Sequence, residues 1–304
     1  MHKDFLSILD LSISDIEDIF KMSDTLRISK GKVLEGKILA LLFEKASTRT
    51  RTSFEAAMLH LGGHVIYLES KTMQISRGET LADTARVLDK YVDIIAARMY
   101  RHEDLKELAI NSSVPVINAL TDIEHPCQAL SDVYTISNIK KRTKGINFAF
   151  IGDIASNTAN SLMVACAMVG MNVRLVGPNE CIPNMEYVDA ARKYGRVDVF
   201  SDIPEGLNNA DVIYTDTFVS MGQESSAKER VKMFKDYQLN AKAMSYAKED
   251  AIAMHCLPAH RGEEISADVI DGKQSVVWEQ ARNKMVVEAG ILLFFAGRHN
   301  DREK

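Results

Sequence analysis

The sequence predicts an α/β protein made of two parallel-sheet, three-layer (αβα) domains of similar size. Three observations carry that expectation. Short apolar runs of strand character, at 38–43, 92–98, 147–152 and 212–215 among others, alternate with segments whose apolar residues recur at helical spacing. Consecutive strands joined through a helix pair in parallel rather than as hairpins. The alternation is interrupted by a short basic turn, Lys140-Lys141-Arg142-Thr143-Lys144-Gly145, after which a second strand–helix series begins. We therefore place one domain at 1–142 and the other at 143–284, with a last helix at about 285–304 packing back on the first.

In the first series, Ser12 or Ser14 reads as the N-cap of a helix running to residue 29, and Gly31 and Gly36 break the chain before the strand at 38–43. Phe54, Ala57, Met58 and Leu61 then mark a helix that Gly62-Gly63 ends. Strands follow at 64–68, 92–98 and 114–118, and helices at 79–91, 102–111 and 126–141, while 70–78 is polar, has no period and reads as a loop. In the second series, strands are expected at 147–152, 173–176, 197–200, 212–215 and 251–254. Helices are expected at 157–169, around 185–194 and at 279–295.

Composition narrows the function classes. At 304 residues, with 46% hydrophobic and 26% charged content, the chain has the make-up of an ordinary soluble globular protein. A net charge of −5 and the lack of a basic stripe argue against a nucleic-acid binder, and no apolar run is long enough to span a membrane. The start of the sequence has no signal-peptide core, and its four cysteines, Cys127, Cys166, Cys181 and Cys256, form no Cys-x-x-Cys pair. A reducing cytoplasm follows.

The chemistry centres on Ser47-Thr48-Arg49-Thr50-Arg51, between the strand at 38–43 and the helix behind it. Free backbone N–H groups at a helix start, three hydroxyls and two guanidiniums converge there, which suits a phosphate. A Ser/Thr N-cap with two solvated arginines would use the same residues. Further on, Arg98 closes a strand, His125-Pro126-Cys127-Gln128 opens a helix, Asp216 to Gly222 follows a strand, and His255-Cys256-Leu257-Pro258 follows another. In parallel sheets ligands sit beyond the carboxyl ends of strands, where all of these fall. The His-Cys pairs fit no zinc framework, and the Gly-x-Gly-x-x-Gly fingerprint is missing after the strand at 147–152, which speaks against a nicotinamide cofactor.

The stretch Phe43 to Glu55, with its Ser-Thr-Arg-Thr-Arg core, resembles the carbamoyl-phosphate signature of the aspartate/ornithine carbamoyltransferase family, and His-Pro-x-Gln-x-x-x-Asp ending at Asp132 is similar to its second signature. The resemblance covers nearly the whole chain. It implies an active site in the cleft between the two domains, with carbamoyl phosphate bound by Ser47, Thr48, Arg49, Thr50, Arg98, His125, Gln128, Cys256 and Leu257. Gln74, in a loop of the ornithine-enzyme type, would reach the phosphate of a neighbouring subunit in a homotrimer or a multiple of trimers. Asp-x-x-x-Ser-Met-Gly and His-Cys-Leu-Pro resemble the ornithine branch, which implies that Asn157, Asp216, Ser220 and Met221 hold L-ornithine and that Asp216 and Cys256 face the reacting amine. The catalytic set implied is Arg49, Arg98, His125, Asp216 and Cys256, with neither metal nor organic cofactor. The expected reaction is carbamoyl transfer to the δ-amine of L-ornithine, giving L-citrulline and phosphate, with putrescine as the alternative acceptor. Two departures stand out: Ser156 replaces a customary asparagine, and Lys284, in Ala281-Arg282-Asn283-Lys284, replaces the family's arginine at the carbamoyl carbonyl. A lysine keeps that charge without the planar donor fork.

Overall fold

The computed structural model describes residues 4–28, 32–219 and 222–300 of the chain. The expected end of the first helix at 29, the Gly31 break, and Ser220 and Met221 lie outside the described residues. The chain divides into two compact units, Met1–Ser131 with Lys284–Lys304, and Asp132–Asn283.

In the first unit, α1 (Ile13–Ile28), β1 (Ile38–Phe43), α2 (Thr48–His60), β2 (His64–Glu69), α3 (Leu81–Leu88), β3 (Ile94–Arg98), α4 (His102–Ile110) and β4 (Val116–Leu120) follow in order. The strands form one parallel sheet in the order β2-β1-β3-β4. Leu39 to Phe43 are all fully buried, which is why β1 reads as an unbroken apolar run: helices cover both faces. Ala40, Leu42, Ile95, Ala97 and Val116 pack with Leu105, Leu108 and Ala109 of α4 on one face. The segment expected to be a plain loop at 70–78 instead carries two 3-10 turns, Ser70–Thr72 and Gln74–Arg77, the second closed by Gly78 at φ 100°. Such single turns have no apolar period to betray them.

In the second unit come β5 (Asn147–Ile151), α6 (Asn157–Met168), β6 (Asn172–Val176), α7 (Met185–Arg192), β7 (Val197–Phe200), α8 (Ile203–Leu207), β8 (Val212–Thr215), α9 (Ala227–Phe234), α10 (Ala241–Met244), β9 (Ile252–His255) and α11 (Ala267–Ile270). The parallel sheet has the order β7-β6-β5-β8-β9. All of α6 is buried, its polar first turns (Asn157, Thr158, Asn160, Ser161) as well as its apolar end from Leu162 to Met168. On the sheet, Phe150 and Tyr214 stack with centroids 5.6 Å apart. The short helices α8, α10 and α11 lend Leu207, Ala243, Met244, Val269 and Ile270 to a core with Ala149, Ile151, Ile213 and Ala253.

Two helices pass between the units along the chain: α5 (Pro126–Lys140), and the final helix α12 (Val277–Asn300). Within the first unit, Phe295 of α12 stacks on Phe5 at 5.7 Å, and Gly290 lets α1 approach so closely that a Cβ there would lie 2.2 Å from Ser23 Oγ. Among the described residues no helix is long and apolar enough to cross a membrane.

Candidate active site

Each sheet has one point where its strand order reverses direction, and several of the expected site residues follow strands at or next to those points. In the first unit the order runs outward from β1 to β2 on one side and through β3 to β4 on the other. Crossovers on either side of such a point leave a crevice at the strands' carboxyl ends. Phe43 pairs with Arg98 in register there, and Arg98 with Leu120 across a register shift, so the ends of β1, β3 and β4 lie side by side. Glu44 fastens the crevice: its N–H donates to the Arg98 carbonyl at 2.9 Å, and its carboxylate accepts from the Tyr100 N–H at 2.6 Å.

After β1 the chain turns into α2 with Ser47 as N-cap, in extended backbone at φ −148°, its hydroxyl accepting from the Thr50 N–H at 3.3 Å. The capping reading is thus real, and it is compatible with an anion site, since the helix start still offers further N–H groups. The two arginines part company. Arg51 is committed to the protein: its Nε donates to Glu55 Oε1 at 2.9 Å and its guanidinium lies 3.6 Å over the Tyr67 ring. Arg49 is exposed and makes no ion pair with another described residue. Thr50 is buried, Thr48 exposed.

His125 follows β4 through a loop held on several sides. The Thr121 N–H donates to the Glu124 carbonyl at 2.9 Å, the Ile8 N–H to the Glu124 carboxylate at 3.0 Å, and the His102 N–H to Asp122 at 2.9 Å. Pro126 opens α5, and the His125 carbonyl takes the first helical bond, from Ala129 at 3.1 Å. His125 is buried, and burial first, then the charges of Lys284 and Arg98, hold its imidazole well below the ordinary histidine range. The ring is therefore neutral at pH 7 and can donate one hydrogen bond without carrying charge. Gln128, one helical turn on, is buried as well. Lys284 is also buried, 3.0 Å from Glu288 Oε1. Gln74 is exposed on its 3-10 turn, and no hydrogen bond joins its side chain to another described residue.

The second unit repeats the device between β5 and β8. Asn157 starts α6 just beyond β5, with Ser156 as N-cap accepting from the Ala159 N–H at 3.2 Å. Serine caps this helix as an asparagine would, which accounts for the departure at 156. Asp216 follows β8 and Cys256 follows β9, the two strands being paired through Thr215 and His255. The Cys256 thiol donates to Asp216 Oδ1 at 3.1 Å, and that oxygen also accepts from the Thr217 N–H at 2.8 Å. Burial, then the Asp216 carboxylate, push the thiol well above its ordinary range, so Cys256 is an S–H donor and not a thiolate nucleophile. Leu257 sits beside it at φ 58°.

Known proteins bear on this geometry. The family model described as aspartate/ornithine carbamoyltransferase, carbamoyl-P binding domain, matches residues 3–138, and the Asp/Orn binding domain of the same family matches 144–295. The chain belongs to the aspartate/ornithine carbamoyltransferase family. It is 45% identical over 305 aligned residues to an ornithine carbamoyltransferase of Pyrococcus abyssi, covering 97% of this chain and 96% of that protein. It is similar to the solved ornithine carbamoyltransferase of Pyrococcus furiosus (TM-score 0.92, 44% identity, 97% of each chain). It is also similar to the solved anabolic ornithine carbamoyltransferase of Campylobacter jejuni (TM-score 0.93, 38% identity, all of both chains).

This carbamoyltransferase chain also has buried polar groups that its motifs do not announce. Asp132, the last residue of the His-Pro-x-Gln-x-x-x-Asp string, accepts from the Tyr214 hydroxyl at 2.8 Å and from Gln280 Nε2 at 2.8 Å, and Gln280 Oε1 accepts from the His255 N–H at 3.1 Å. His255 Nδ1 accepts from the Leu257 N–H at 2.9 Å, so Nε2 carries the proton and donates to Glu264 Oε1 at 3.0 Å. These bonds fix the Cys256-Leu257 turn, left-handed Leu257 included. The signal in sequence was faint: a lone Tyr in a strand and a lone Glu in a loop.

Proposed function

We propose that the chain is an ornithine carbamoyltransferase, converting carbamoyl phosphate and L-ornithine to L-citrulline and phosphate. The observation that carries the choice of acceptor is the Asp216 carboxylate with the Cys256 thiol 3.1 Å from it, Asp216 following the strand beside the one that leads to Asn157 and Cys256 the strand after that. A buried carboxylate at that point favours an amine acceptor and repels the carboxylate-rich side chain of aspartate.

In this reading the first unit takes carbamoyl phosphate. Ser47, Thr48, Arg49 and Thr50 hold the phosphate, with Gln74 supplied by a neighbouring subunit. Arg98 and neutral His125 donate to the carbamoyl oxygen, Thr50 assists them, and Gln128 holds the carbamoyl amide. Lys284 adds a charge on the carbonyl side, and Cys256 and Leu257 bound the carbamoyl group. Asn157, Asp216, Ser220 and Met221 hold ornithine. The neutral δ-amine attacks the carbamoyl carbon, the new C–N bond forms, negative charge gathers on the oxygen, and the C–O bond to phosphate breaks with both electrons leaving on phosphate. The amine's surplus proton departs with phosphate or to solvent. Donors preset for the oxyanion, and orientation of two bound substrates, supply the rate. We further place the enzyme in the cytoplasm, in keeping with its four free cysteines, and assign it a trimer.

The test is citrulline formation by the purified protein, with ornithine, putrescine and aspartate offered in parallel. Turnover of ornithine alone supports the proposal; turnover of putrescine in its place, or of none, overturns it. The trimer is tested by mixing an Arg49→Ala chain with a Gln74→Ala chain. Partial recovery of activity is expected, and no recovery despite proven subunit exchange would show that each site comes from one chain.

A further inference from the structure

Lys284 and Glu288 lie one turn apart on α12, both buried, with Nζ 3.0 Å from Oε1. Taking two charges out of water costs more than a simple ion pair returns, so such a pair calls for a use beyond stability. Around it stand the groups of the carbamoyl-phosphate half: His125 and Cys127 at the start of α5, Arg98 at the end of β3, and Ser53 of α2. The Lys284 charge is felt at His125 and Cys127, and the Glu288 charge at Cys127, so the pair acts on the start of α5. Burial raises the proton affinity of the Glu288 carboxyl, and Lys284, then the Ser53 hydroxyl, oppose it. Ser53 belongs to the helix whose first turn is Ser-Thr-Arg-Thr, and its hydroxyl also donates to the Thr50 carbonyl at 3.2 Å.

An ammonium has three donors. Glu288 is the one anion paired with Lys284 among the described residues, so donors remain for an oxygen of a ligand. Resting on the carbamoyl-transfer reading of this half-site, we propose that Glu288 is a positioning residue, whose buried carboxylate holds the Lys284 ammonium in place as a ligand for carbamoyl phosphate. The logic is specific to lysine. A buried lysine that loses its counter-charge can shed its proton and its grip on an anion, whereas a guanidinium keeps its charge and its fork geometry. Glu288 is thus what makes lysine workable at position 284.

That gives a test a merely structural salt bridge would fail. Calorimetric Kd values for carbamoyl phosphate are measured for the full-length protein, Glu288→Gln, Lys284→Arg and the double variant, beside KM for ornithine and thermal melts. Glu288→Gln should weaken carbamoyl phosphate about tenfold, leave the KM for ornithine within about twofold, and cost less than about twofold when Arg occupies position 284. An equal loss in both backgrounds, or parallel loss for both substrates, overturns the proposal. Should Glu288→Gln fail to fold, Lys284→Met/Glu288→Gln is compared with Lys284→Arg/Glu288→Gln. Tenfold tighter binding by the Arg variant is expected, and equal binding overturns the proposal. Absence of citrulline formation by the unaltered protein would reject the assigned reaction, while carbamoyl-phosphate binding would still decide the role of Glu288.

Discussion

The two units solve one structural problem with opposite electrostatics. Each is a parallel sheet whose order reverses once, between β1 and β3 in the first unit and between β5 and β8 in the second, and each has candidate residues at the carboxyl ends of its strands on and beside that reversal. In the first, the gathered groups are hydroxyls, Arg49, Arg98 and a helix start capped by Ser47. In the second they are the Asp216 carboxylate, the Cys256 thiol and Asn157. The sheet fixes where a ligand sits, and the few side chains past the strand ends fix its charge. The proposed function gives the phosphate to the first half and the amine to the second.

The sharpest way to break this contrast is at Arg49. Arg49→Ala removes a charge-assisted donor from the phosphate, and kcat/KM for carbamoyl phosphate should fall by on the order of a hundredfold or more, about 3 kcal/mol. Steady-state kinetics at saturating ornithine check it, and near-normal values would remove the phosphate from this turn. Next comes Asp216→Asn, which keeps shape and removes charge. It should lower kcat/KM for ornithine about thirtyfold while leaving the KM for carbamoyl phosphate within about twofold. A matched rise in both KM values would mean that the carboxylate serves the fold and not the amine.

A smaller effect tests the support beneath the second half-site. Tyr214→Phe deprives the buried Asp132 carboxylate of its 2.8 Å hydroxyl donor. Stability should drop by about 1.5 kcal/mol, read from urea unfolding, with ornithine KM little changed. The smallest concerns His125. Its folded value lies below the unfolded one, so the stability it contributes is fully present above about pH 6.5 and is lost as pH falls below that. Stability should therefore fall between pH 7 and 6 in the unaltered protein, and that fall should disappear in His125→Asn when unfolding is measured at both values.

Legibility followed residue chemistry. β1, at Ile38–Phe43, was visible to the residue because a strand covered on both faces is an unbroken apolar run. The Ser-Thr-Arg-Thr turn and the His-Pro string carried the first half-site because donors so dense are unusual in any loop. The short helices α8 to α11 were not foreseen: four to eight residues give too few turns for a period. The commitment of Arg51 to Glu55 and Tyr67 could not be seen either, since the Tyr67 contact joins α2 to the strand after it. Lys284 showed in the sequence as a departure from the family's arginine, but its partner Glu288 was read only as part of a helix, because one carboxylate in a helix is ordinarily a solvated charge. Burial, which only the fold reveals, gives it meaning.

The measurement that tests the central claim most directly is calorimetric titration of carbamoyl phosphate into the unaltered protein, Arg49→Ala and Asp216→Asn. If the phosphate half and the amine half are separate in charge and in place, Arg49→Ala weakens binding on the order of a hundredfold and Asp216→Asn changes it less than about twofold. Equal weakening by both substitutions, or binding that survives Arg49→Ala intact, would contradict the division of the site into an anion half and an amine half.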